Sequence, residues 1–174
     1  EDGPNGFLCE PSRTNIALRS TEFDNATTWT ATDVTVTPNT TVAPDASLSA
    51  DTITEGVTQL ASLSQNITVV ASTAYVHSRY IKRGNHDWVQ IQIVDAANTA
   101  NFVRGWVNLN TGTVGSTVTG GTASAAETTI EPSCNGFYRV AITGVLGTTV
   151  LATIDTKSAT ADASTTLVNN GVRY

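Results

Sequence analysis

Residues 75–109 read YVHSRYIKRGNHDWVQIQIVDAANTANFVRGWVNL, and the fold turns on how this run divides. It splits into three short strands, each with two faces. Val76, Ser78 and Tyr80 alternate with Tyr75, His77 and Arg79. Val89, Ile91 and Ile93 alternate with Trp88, Gln90 and Gln92, and Val103, Gly105 and Val107 alternate with Phe102, Arg104, Trp106 and Asn108. Side chains on a strand point to opposite faces with a period of two, so the first set in each strand is the apolar or small face that a core takes up. Paired as an antiparallel meander, the strands would merge their second sets into one surface. Aromatic plates among planar hydrogen-bonding groups suit a sugar ring, whose C–H face stacks while its hydroxyls pair. The competing reading is that such aromatics are cross-strand pairs that stabilise the sheet, or lie beneath a second layer.

Outward from this run the chain keeps the same character. ATDVTVTP reads as a strand ending at Pro38, and Pro44-Asp45 as turn chemistry. SLSADTIT and QLASLSQNITVV are two further strands about a hairpin turn at Glu55-Gly56. Asn110–Gly112 and Gly120-Gly121 turn the chain after the central run. Asn135-Gly136 precedes FYRVAITGV, Gly147 precedes TVLATID, and a last short strand fits the end of the Ser/Thr/Ala-rich tail. About ten to twelve short strands at regular spacing, with no capped 3.6-residue period, predict an all-β fold, a two-sheet antiparallel sandwich of the jelly-roll type.

The 174 residues suit a single domain spanning 1–174. The chain opens on Glu1 and contains no Met, as expected of a piece excised from a longer polypeptide. No apolar run approaches the roughly 20 residues of a membrane span, and no signal-peptide pattern opens the chain. A net charge of −6 argues against nucleic acid and anionic membrane surfaces as partners. Cys9 and Cys134 are the only cysteines and lack zinc-site spacing. They either form one disulfide between the N-terminal segment and a late strand, or are two ordinary thiols.

Two regions carry a family resemblance. EPSRTNIALRSTEFDNATTW resembles the opening of a module recurrent in tailed-phage tail and virion proteins. SADTITEG, SLSQNITVVASTAYVHSRYIKRG, WVQIQI, WVNLNTGTVG and NGFYRVAITG then follow in that module's order. The pattern is also similar to jelly-roll carbohydrate-binding modules of xylanases and glucanases, through Asn15-Ile16, Glu22-Phe23, Trp29, the strand from Gln65 to Val69, Tyr75 and the Lys82–Gly84 turn. The resemblance covers most of the chain to about residue 145. It implies a β-sandwich that binds a polysaccharide or cell-surface glycan on a concave sheet face, in a virion or extracellular setting. It also implies a structural calcium in many relatives, for which Glu22, Asp24 and Asn25, with Asp51, are the oxygen donors here. One departure is that the phage module closes on a Trp-Gly-Ala-Gln strand, where this chain reads Asn169-Asn170-Gly171-Val172-Arg173-Tyr174.

Trp88, Gln90, Gln92, Arg104 and Trp106 are the expected ligand contacts, flanked by Tyr75, His77, Arg79 and Phe102. Arg79 and Arg104 would suit an acidic sugar, because a guanidinium grips a carboxylate with two parallel bonds. Catalysis is not expected. A glycosidase needs two facing carboxylates roughly 5–10 Å apart, and none lies on these strand faces. A polysaccharide lyase of similar fold would need supporting Arg-x-Glu and Gln-Ile-His strands, for which the nearest match is Gln90-Ile91-Gln92. A third possibility is a structural virion module that uses the same face to dock other virion chains.

Overall fold

Thr, Val and Ile recur at alternate positions because a pleated, half-buried surface accommodates β-branched side chains. The computed structural model describes residues 14–57 and 61–174. Among these residues the strands are β1 Thr30–Thr32, β2 Val34–Val42, β3 Leu48–Glu55, β4 Ser62–Thr68, β5 Ala74–Lys82, β6 Trp88–Asp95, β7 Phe102–Asn108, β8 Thr113–Gly120, β9 Ser124–Pro132, β10 Phe137–Val145, β11 Leu151–Ala159 and β12 Val172–Arg173. A single 3-10 turn, Cys134–Gly136, lies between β9 and β10.

The strands make a β-sandwich. One layer is a six-stranded antiparallel sheet in the order β1-β4-β11-β6-β7-β8. The other comprises two three-stranded sheets, β5-β10-β9 and β12-β3-β2. The short β12 joins them. Val172 and Arg173 pair with Thr54 and Ile53 of β3, while Arg83 bridges to Arg173 and Tyr174 exchanges both backbone hydrogen bonds with Lys82, at 2.8 and 3.1 Å. Between the layers lie Leu63 and Ile67 of β4, Val89, Ile91 and Ile93 of β6, Val103 and Val107 of β7, Val140 and Ile142 of β10, and Ile154 of β11.

Glycines let the layers approach closely. A Cβ on Gly105 of β7 would stand 2.1 Å from Thr128 Oγ1 of β9, and one on Gly144 of β10 would stand 2.4 Å from Val103 Cγ1. The expected turns at Gly112 and Gly121 are present, with left-handed φ of 67° and 63°.

Four sequence expectations are corrected. The run from Tyr75 to Leu109 is not one meander: β6, β7 and β8 are consecutive neighbours, but β5 pairs with β10 in the opposite layer. Ile81 extends the Tyr75, His77, Arg79 set, and this is the set that turns inward, leaving Val76, Ser78 and Tyr80 outside. Glu55-Gly56 is not a hairpin turn, since β3 pairs with β2 and β12 whereas β4 belongs to the six-stranded sheet. Nor does Pro38 end its strand. β2 is an edge strand whose ladder is irregular between Thr37 and Thr41, and there the missing N–H of proline is tolerated. Cys134 is a free, exposed thiol, whereas Cys9 lies outside the described residues.

A buried ion pair fastens β12. Arg173 Nη1 pairs with Glu55 Oε1 and donates to Ser158 Oγ at 3.2 Å, while Nη2 donates to Thr156 O at 2.8 Å. Glu55 Oε1 also accepts from the Ser158 N–H at 2.8 Å. Removing one partner leaves the other charge buried without compensation. Glu55→Ala is expected to lower unfolding stability by about 3–5 kcal/mol, with the Glu55→Leu/Arg173→Met double variant recovering most of the loss in urea titrations. Gly105→Ala is expected to cost about 1–3 kcal/mol by overpacking against Thr128, read the same way.

Candidate ligand-binding face

The antiparallel ladder places most of the expected contact residues on one surface. Across β6 and β7, Gln90 lies opposite Trp106, Gln92 opposite Arg104, and Val94 opposite Phe102, while Trp88 faces Asn108. Their neighbours Val89, Ile91, Ile93, Val103 and Val107 are in the core, so this set occupies the outer face of the six-stranded sheet. β11 and β4 extend the same rows. Asp155 pairs with both Gln92 and Ser64, Lys157 pairs with Gln90, and Thr153 pairs with Asn66. One continuous row therefore runs Ser64, Asp155, Gln92, Arg104 across four strands.

These groups hold one another. Asp155 Oδ2 accepts from Ser62 Oγ at 3.1 Å and Gln92 Nε2 at 3.3 Å, and pairs with Lys157 Nζ at 3.2 Å. Gln92 Oε1 accepts from Arg104 Nε at 2.9 Å, and the Arg104 guanidinium lies 4.2 Å from the centre of the Phe102 ring. Burial pulls the Arg104 pKa below the usual arginine range, and the charge of Asp155 partly offsets this. Asp155 Oδ1 is buried with no hydrogen-bond partner. An unpaired acceptor out of water loses the solvation a partner would restore.

One end of this face is covered. Trp106 is 2 % exposed and Gln90 4 %, and Gln92 and Asp155 in the next row are buried as well, against the expectation that the two glutamines face water, whereas Trp88, Phe102 and Arg104 are half-buried. The cover is the segment from Thr160 to Thr166: Trp106 Nε1 donates to Ser164 O at 2.9 Å. Asp162 accepts from the Ser116 N–H at 2.7 Å and from Ser116 Oγ at 3.0 Å. The expectation of an aromatic surface open to water thus fails for Trp106, whose indole N–H is satisfied within the chain.

Tyr75, His77 and Arg79 are not part of this face, because β5 turns them toward the interior. Arg79 donates to Thr156 Oγ1 at 2.8 Å and to Leu63 O at 3.3 Å, and its guanidinium lies 4.5 Å from the Trp29 ring centre and 4.9 Å from that of Phe23. Burial brings the pKa of Arg79 down to about 9, opposed by Asp155 and assisted by the charge of Arg173. Tyr75 Oη accepts from the Val70 N–H at 2.8 Å. His77 is buried, and since a carbonyl only accepts, its Nδ1 carries the proton donated to Gln92 O at 3.1 Å.

Of the oxygen donors considered for calcium, three hold partners within the chain, and Asp24 stands near enough for its charge to act on Asp51. Glu22 Oε2 accepts from Arg19 at 2.8 Å, Asn25 Oδ1 accepts from the Thr27 N–H at 3.2 Å, and Asp51 accepts from the N–H groups of Asn39 and Phe23 at 3.0 and 3.3 Å. Among the described residues no group of three or more His, Cys, Asp or Glu is placed to hold a metal ion.

Ser62, Ser64, Asp155 and Lys157 were not among the residues expected from sequence. Their signal is the alternation of Thr153, Asp155 and Lys157 with Ala152, Ile154 and Thr156 in LATIDTKSA. What joins them to the face is a ladder between positions 63 apart in sequence, Gln92 and Asp155. No protein-family model and no curated protein matches the chain.

Burial, and the nearby charge of Arg79, lower the pKa of His77 to about 3 from 6.5. Between these values the unfolded chain binds a proton that the folded one does not, so stability falls as pH drops from 6.5 toward 3. His77→Gln should flatten that part of the profile, measured as the melting temperature at half-unit pH steps. An equal slope in both proteins would remove His77 as the cause.

Proposed function

We propose that this chain is a non-catalytic carbohydrate-binding module of a phage structural or tail protein, acting at the virion surface or outside the cell. The polysaccharide lies along the outer face of the six-stranded sheet. The observation that carries the reading is the row Ser64, Asp155, Gln92, Arg104, in register across four strands. It sets a carboxylate, an amide and a guanidinium side by side: Asp155 and Gln92, 2 % and 6 % exposed, hold the row from within, and half-buried Ser64 and Arg104 are the members that sugar hydroxyls reach. Half-exposed Phe102 and Trp88 supply apolar plates beside it. Ser62, Asn66 and Thr153 extend the polar surface along neighbouring rows. Lys157 and Arg104 add positive charge, which favours a glycan bearing carboxylates. The reading draws on no metal.

A second reading, a virion assembly module, moves from the face expected for it in sequence to the opposite one. There Val76 and Tyr80 of β5 are 45 % and 52 % exposed on the outside of the sandwich. A neighbouring virion chain docked on that face would cover them.

A glycan array probed with the wild type and with Arg104→Ala separates the two readings. The carbohydrate reading expects binding to at least one polysaccharide and a loss of tenfold or more in Arg104→Ala, equivalent to about 1.4 kcal/mol, with Tyr80→Ala unaffected. Absence of glycan binding, together with a solution mass above the monomer that Tyr80→Ala reverses, would favour assembly.

A further inference from the structure

We propose that Thr160–Thr166 is a lid over the aromatic end of this face, and that a bound polysaccharide displaces it. The inference deepens the carbohydrate reading above and rests on it. The lid's neck is firmly held. Ala159 and Leu167, both buried, bridge each other, and the Thr160 N–H bonds Thr166 O at 3.3 Å. The segment can therefore swing without loosening the sandwich. Between the neck residues the lid has no apolar anchor: Ala161, Asp162, Ala163 and Thr165 are exposed, and Ser164 is half-buried. A segment with few buried apolar contacts opens at low free-energy cost.

What holds the lid down is polar, and it resembles a ligand. Ser164 O occupies the position at which a sugar hydroxyl would accept from the Trp106 indole N–H. The Asp162 carboxylate fills the space left by the missing side chain of Gly115. A Cβ on that residue would stand 2.3 Å from Asp162 Oδ1 and 2.7 Å from Trp88 Cζ3. The lid thus spends its polar contacts to the sheet on Trp106 and Ser116, at the end of the face beyond Gln92 and Arg104. Lifting it would expose Trp106 and Gln90 and lengthen the surface available to an extended chain of sugars.

The test is Asp162→Ala, which removes the Ser116 contacts, in the full chain. Acrylamide quenching of tryptophan fluorescence is measured in a Trp88→Phe background, with Trp106→Phe added as the control that assigns the signal. Expected is at least a twofold rise in the quenching constant in Asp162→Ala, abolished by Trp106→Phe, with faster amide exchange confined to 160–166. Affinity electrophoresis in gels containing alginate, a polyuronate, or dextran, a neutral glucan, reads the ligand side on the Trp88-containing proteins. There, Asp162→Ala is expected to be retarded about threefold more strongly than wild type by at least one polymer. Unchanged quenching and exchange would overturn the lid. Raised quenching with equal retardation would overturn displacement by ligand. Raised quenching with no retardation of either protein, alongside a blank glycan array, would overturn the carbohydrate reading and the ligand's role while leaving a mobile loop.

Discussion

The Glu55–Arg173 pair, buried between the layers, is the contact on which the architecture rests. β12 is too short to hold its place by ladder bonds, with Val172 and Arg173 its only strand residues. The guanidinium supplies what the ladder lacks, because it reaches Glu55 of β3 and both Thr156 and Ser158 of β11. Fixing β12 in turn places Tyr174 against Lys82, so that β3 and β5 become parts of one layer. Bringing an ion pair into a low-dielectric interior is costly unless its hydrogen-bonding capacity is used. Here backbone and hydroxyl groups of β11 use most of it, although Glu55 Oε2 and Arg173 Nε stay without partners.

The same economy explains Arg79. It points into the interior from β5 without a directly hydrogen-bonded carboxylate, and the rings of Phe23 and Trp29 stand beside it in place of water. Phe23 and Trp29 meet edge to face, with centroids 5.0 Å apart, and the Trp29 indole donates to Arg19 O at 2.9 Å. The segment around residues 15–29 is thereby folded over the β4 side of the sandwich, where Gln65 also binds both backbone groups of Leu18, at 2.8 and 2.9 Å. Polar residues inside this protein thus do the work of joining segments that the ladders leave separate.

On the outer face the constraint is reversed. Asp155 Oδ2, Gln92, Arg104 and Lys157 bond one another laterally, which fixes their rotamers and keeps the row ordered. The inner faces of β6, β7, β10 and β11 are filled by β-branched side chains with glycine at the closest approaches, a rigid base for such a row. Shape and chemistry on the two sides of one sheet are therefore coupled through its pleat.

Much of this was legible in the residues alone. Period-two alternation determined the strands, their number and the inner faces of β6 and β7, because only one face of each strand could be buried. It also placed Trp88, Gln90, Gln92, Phe102, Arg104 and Trp106 on a common surface, since hairpin neighbours inherit their register from a short turn. Tertiary structure alone decided the side taken by β5. Both of its sets mix aromatic with polar residues, so the local pattern's weak preference for burying Val76, Ser78 and Tyr80 is overruled by the pairing with β10. The arrival of Asp155 beside Gln92 and of Ser164 over Trp106 was likewise invisible. A contact between positions distant in sequence depends on which strands become neighbours, and that choice is made by the packing of the whole chain.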